Sequence, residues 1–79
     1  MRIPRNVDGN QLIAALSKLG YIKTKQVGSH IRLTTSQNGE HHVTIPNRSP
    51  IKIGTLNNIL KDISEHFGIS RDDLVQKIF

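Results

Sequence analysis

Gln37-Asn38-Gly39-Glu40 joins two stretches in which apolar and polar residues alternate, and it limits what this chain can fold into more than any other segment. An Asn-Gly pair between alternating runs signals a β-hairpin, because both residues tolerate positive φ. Loop length then sets the register. A two-residue turn over Asn38-Gly39 puts apolar Leu33 opposite polar Thr44 and splits the hydrophobic face. A three-residue loop over Gln37 to Gly39, with Gly39 left-handed, instead pairs Leu33 with Val43 and Ile31 with Ile45. The spacing therefore predicts strands over His30 to Ser36 and His42 to Ile45. Ile31, Leu33, Val43 and Ile45 share one face, and His30, Arg32, Thr34, His42 and Thr44 share the other.

The flanking segments supply a cover for the apolar face. After a basic, Pro-containing start at Met1 to Arg5, Asp8 and Gln11 have the spacing of a capping box. Leu12, Ile13, Leu16 and Leu19 then recur at helical spacing up to Gly20, a C-terminal stop. Tyr21 to Val27 is rich in β-branched residues but carries Lys23 and Lys25, which suits an edge strand protected from aggregation; Lys25 is also placed to meet a phosphate. Pro46 closes the third strand, and Asn47-Arg48-Ser49-Pro50 is a turn-rich connector. Leu56, Ile59, Leu60, Ile63 and Phe67 trace a longer helix that Gly68 ends. Its start is read either at a Gly54-Thr55 cap or near Ile51, with Gly54 then allowing a close approach. Ser70 and Asp73 cap a short terminal helix carrying Leu74, Val75, Ile78 and Phe79. The order is helix, three strands, helix, short helix: an α+β fold with one sheet face covered by helices.

A chain of 79 residues suffices for one small domain, expected over residues 1–79. It has no cysteine, so neither a disulfide framework nor a thiolate metal site is available. No apolar run has the length of a signal peptide or a membrane span, which leads to the expectation of a cytoplasmic protein without membrane contact. The formal charge of +5 points to an anionic partner such as a nucleic acid. With Tyr21, Phe67 and Phe79 as its aromatic residues, the chain has little material for stacking bases, so recognition falls to charge and backbone.

Candidate chemistry centres on Val27 to Leu33. Gly28 and Ser29 allow backbone to approach a ligand closely, and the strand then presents His30 and Arg32 on one face. Nucleotide-binding loops, nucleophile elbows and zinc-hydrolase helices are all missing from the sequence. Apart from Glu40, the acidic residues lie at Asp8 and from Asp62 onward, away from these strands. Acid and base work therefore falls to histidine, which near neutral pH can take a proton from a hydroxyl such as the 2′-OH of RNA. His41 and His42 are adjacent and point to opposite faces, a poor arrangement for one metal. His42 is a candidate second acid or base, but the register sets it opposite Thr34. His66 stands near a helix C-terminus, where a cation is favoured. No cofactor motif is present.

Four segments together resemble the HicA-like toxins, small endoribonucleases of toxin–antitoxin pairs: Leu16-Ser17-Lys18-Leu19-Gly20-Tyr21, Gly28-Ser29-His30, His42-Val43-Thr44-Ile45-Pro46, and Gly54-Thr55-Leu56-Asn57-Asn58-Ile59-Leu60. The resemblance covers nearly the whole chain. It implies a double-stranded-RNA-binding-domain-like fold, His30 as the catalytic residue, an mRNA substrate and a HicB-like antitoxin that blocks the site. The family often has a histidine or other basic residue shortly after the proline, and here Asn47-Arg48 occupies that region. The mechanism expected is metal-independent, with His30 as base and with Gly28, Ser29, Arg32 and Lys25 meeting phosphate. Two alternatives remain: a non-catalytic RNA-binding module of the same fold, and a helix-turn-helix DNA reader built from Leu56 to Phe79.

Overall fold

The computed structural model describes residues 6–79; the basic start over residues 1–5 lies outside that range. Asp8 caps helix α1 (Gly9–Leu16). Its carboxylate accepts the Gln11 N–H at 2.7 Å, while its own N–H donates to Gln11 Oε1 at 2.9 Å, completing the expected capping box. The helix tightens into a 3₁₀ turn over Ser17–Leu19 and stops at Gly20, which has φ +82°. A β-carbon there would stand 2.7 Å from the Gln37 side chain and 3.0 Å from Thr35 Oγ1. Both the backbone and the space require glycine.

Strands β1 (Ile22–Val27), β2 (His30–Thr35) and β3 (His41–Pro46) form one antiparallel sheet in that order. The expected register is present, with Leu33 opposite Val43 and Ile31 opposite Ile45. Pairing stops at Thr35–His41, leaving a wider loop whose Asn38 and Gly39 both take positive φ. Tyr21 belongs to the core rather than to the edge strand; it is 1% exposed. β1 lies at the edge, as its lysines predicted, and all six of its residues are exposed. It also carries a bulge between Lys23 and Lys25, so these two lysines oppose Leu33 and Arg32 respectively. Lys25 thus shares the open face with Arg32.

Helix α2 (Ile53–Phe67) has Lys52 as its N-cap and starts between the two expected positions, near Ile51 and at Gly54-Thr55. Neither residue caps it, and a β-carbon on Gly54 would meet nothing within 4 Å, so close approach does not explain that glycine. Ser70 caps α3 (Arg71–Ile78) by accepting the Asp73 N–H at 3.1 Å. Ile31, Leu33, Val43 and Ile45 pack with Leu12, Leu16, Leu56, Leu60, Ile63, Leu74 and Ile78 in one core. Each fully buried aliphatic side chain contributes roughly 1.5–3 kcal/mol, which is why the register cannot slip. α3 buries Leu74 and Ile78 and has Asp72 and Asp73 in its first turn. Such a helix repels a DNA backbone instead of reading it. The α+β architecture, with helices on one face of a three-stranded antiparallel sheet, is of the double-stranded-RNA-binding-domain type. No helix among the described residues is long and apolar enough to cross a membrane.

Candidate active site

The loop after β3 is tied down by backbone hydrogen bonds to distant parts of the chain. The Asn47 N–H donates to the Ser29 carbonyl at 2.6 Å, the Gly9 N–H to the Arg48 carbonyl at 3.0 Å, and the Ile51 N–H to the Val7 carbonyl at 2.8 Å. Gly9 permits the second of these. A β-carbon there would lie 3.0 Å from the Pro46 carbonyl oxygen and 3.1 Å from Asn47 Cα, both backbone atoms. The start of α1, the β1–β2 turn and the 46–52 segment are thereby held in one arrangement.

That arrangement creates a groove of about 340 Å³ lined by His30, Thr44, Pro46, Arg48, Lys52 and Thr55. His30 opposes Pro46 in the sheet, and Arg32 opposes Thr44. Among the described residues the His30 side chain makes no hydrogen bond or ion pair. Among the described residues the groove holds an imidazole, a guanidinium, an ammonium and two hydroxyls, and no carboxylate. Lys52 is also the N-cap of α2 and provides no side-chain cap. A cation at the positive end of a helix works against the dipole, so helix stability does not account for lysine here. An anion entering the groove meets two fixed positive charges and the positive end of α2.

Of the residues expected from sequence, His30 lies in the groove, whereas Gly28, Ser29, Arg32 and Lys25 do not line it. Gly28 has φ +57° in the β1–β2 turn and open space around its α-carbon. The exposed Ser29 hydroxyl makes no hydrogen bond among the described residues, and its carbonyl is taken by Asn47. Arg32 and Lys25 face each other across β1 and β2 on the open face. His42 stands opposite Thr34 as the register required; its Nδ1 lies 2.8 Å from Thr34 Oγ1 and its Nε2 3.4 Å from Glu40. Lys52 and Thr55 were not legible as site residues. The one available signal was the unsuitability of lysine as a helix cap.

A larger cavity of about 550 Å³ lies between α1 and α3, lined by Asn6, Val7, Ala14, Ala15 and Ile78 among others. Lys18, its one cation, already donates to the Ile78 carbonyl at 3.0 Å. Among the described residues no histidine or acidic side chain lines this cavity, and its lysine is already engaged.

The family model described as HicA toxin of bacterial toxin-antitoxin matches residues 9–64. The chain belongs to the HicA toxin family. The matched span contains every residue that lines the His30 groove and stops before α3, so the larger cavity is partly built outside it. Family membership places the chain on the toxin side of a toxin–antitoxin system, with an antitoxin as its general partner. Among curated proteins and solved structures, no significant match was found.

Proposed function

We propose that this HicA family toxin is an endoribonuclease that cuts mRNA in the cytoplasm, with His30 as general base, and that a HicB-like antitoxin arrests it by covering the groove. The observation that carries this reading is the imidazole of His30, without a hydrogen-bond or ion-pair partner among the described residues, in a groove that also holds Arg48 and Lys52. His30 takes the proton of a 2′-OH, the freed oxygen attacks the adjacent phosphorus, and the guanidinium of Arg48 stabilises the charge that builds on the phosphoryl oxygens. The products are a 2′,3′-cyclic phosphate and a 5′-hydroxyl. Arg32 and Lys25, side by side on the open face, hold flanking phosphates, and the Gly28-Ser29 turn lets the strand pass close to backbone. The donor set of the groove, without a carboxylate, suits a reaction that needs no divalent ion.

The test is cleavage of a labelled mRNA by the purified toxin in excess chelator, followed by analysis of the new ends. The reading expects cutting that persists and leaves cyclic phosphate. A strict need for added divalent ion contradicts the metal-free mechanism. Salt-sensitive binding without any cutting would identify a non-catalytic RNA-binding module instead.

A further inference from the structure

We infer that Lys52 is the general acid of the groove, protonating the 5′-oxygen that leaves as the RNA strand breaks. The inference rests on His30 as the base of the same reaction. Cleavage by in-line 2′-OH attack needs two proton transfers, and because O2′ and O5′ then lie on opposite sides of the phosphorus, one imidazole does not serve both at once. The O2′–H proton moves to His30, the O2′–P bond forms, the P–O5′ bond breaks, and O5′ must acquire a proton. Among the described residues the other groups in the groove are Arg48, Lys52, Thr44, Thr55 and Pro46. A guanidinium does not release its proton in a protein, hydroxyls are weaker donors still, and proline has nothing to give. The ammonium of Lys52 is the remaining acid. The reaction then balances without water, a metal or a co-reactant: His30 ends protonated, Lys52 ends neutral, and exchange with solvent resets both.

The position of Lys52 supports the assignment independently. It is exposed, it is the N-cap of α2 without acting as a cap, and it is the last residue of the segment anchored to Ser29, Gly9 and Val7. The loop that brings Lys52 to the groove is therefore fixed relative to His30.

The experiment compares Lys52→Ala and Lys52→Arg with the parent on ordinary RNA and on RNA with sulfur in place of the bridging 5′-oxygen at the cut site. A thiolate leaves without needing an acid. Lys52→Ala is expected to cut ordinary RNA ~10²- to 10⁴-fold more slowly, the usual loss for a missing acid or base, and the sulfur-bridged RNA within a few-fold of the parent. Lys52→Arg, which keeps the charge but does not release a proton, is expected to resemble Lys52→Ala. Equal slowing on both substrates, or recovery in Lys52→Arg, would show that Lys52 only holds phosphate and would overturn the inference. Unchanged cutting of ordinary RNA by Lys52→Ala would also overturn it, leaving His30 as base intact. A parent protein that cuts neither substrate removes the underlying nuclease reading as well.

Discussion

The two ends of the β2–β3 ladder hold histidines in opposite circumstances. At the Thr35–His41 end, His41 Nδ1 meets the Tyr21 hydroxyl at 2.7 Å and its Nε2 meets Asp62 at 3.3 Å. Its ring stacks on that of His66 with centroids 4.3 Å apart, and His66 Nε2 donates to the Gln37 carbonyl at 3.0 Å. At the His30–Pro46 end, the imidazole faces a groove and has no partner among the described residues. The same side chain is thus a structural connector at one end and an available base at the other. A histidine whose two nitrogens already have partners holds elements together; an unpartnered one beside two cations can meet a substrate.

Substitutions should separate the two ends. The largest effect outside His30 and Lys52 is expected at Gly9, where an added methyl group presses on the backbone of Pro46 and Asn47. Gly9→Ala should slow cleavage by on the order of ten- to a hundredfold, because displacements well short of a bond length misalign reacting groups. Its melting temperature should change little, since alanine is otherwise the better helix residue. Equal cleavage by Gly9→Ala and the parent would mean that the 46–48 loop does not position the site.

His41→Ala should show the reverse. Removing the partner of the buried Tyr21 hydroxyl is expected to cost about 1–3 kcal/mol of stability in denaturant unfolding, while the folded variant cuts RNA at the parent rate. A loss of rate in fully folded His41→Ala would break the division between the two ends.

Tyr21 makes a pH prediction at the hairpin end. Its hydroxyl is pushed up to about 12, by burial first and by the negative charge of Asp62 second. The folded chain therefore keeps a proton that the unfolded chain releases near the ordinary value of about 10. Stability should be intact below pH ~10 and should fall as the pH rises from about 10 to about 12. Tyr21 is the one tyrosine in the chain, so tyrosinate absorbance reports it directly. A midpoint near 10 in the folded protein would contradict its burial against His41.

The smallest effect is expected at Gly54. Its surroundings are open and its φ is not positive, so Gly54→Ala should raise stability by a few tenths to about 1 kcal/mol without altering cleavage. Destabilisation there would reveal a neighbour that the structure does not place against it.

Sequence and structure agree where the information is local. The Asn38-Gly39 turn and the alternation of Ile31, Leu33, Val43 and Ile45 were enough for the register, and the register put His30, Arg32, Thr34, His42 and Thr44 on one face. Asp8–Gln11, Gly20, Gly68 and Ser70–Asp73 marked helix ends through short-range hydrogen bonds or positive φ. The composition of the groove was not legible, because it depends on the path of residues 46–52. That path is set by backbone bonds to Ser29, Gly9 and Val7, which leave no side-chain signature. The bulge in β1 and the stacking of His41 on His66 were hidden for the same reason: each depends on tertiary contact rather than on spacing along the chain.

The most direct test of the division between the two ends is the rate at which His30→Ala cuts labelled mRNA, measured beside its melting temperature. The expected result is a ~10²- to 10⁴-fold loss of cleavage with a nearly unchanged melting temperature, because the imidazole is exposed and has no hydrogen-bond or ion-pair partner among the described residues. A folded His30→Ala protein that cuts at the parent rate would contradict the assignment of His30 as the base.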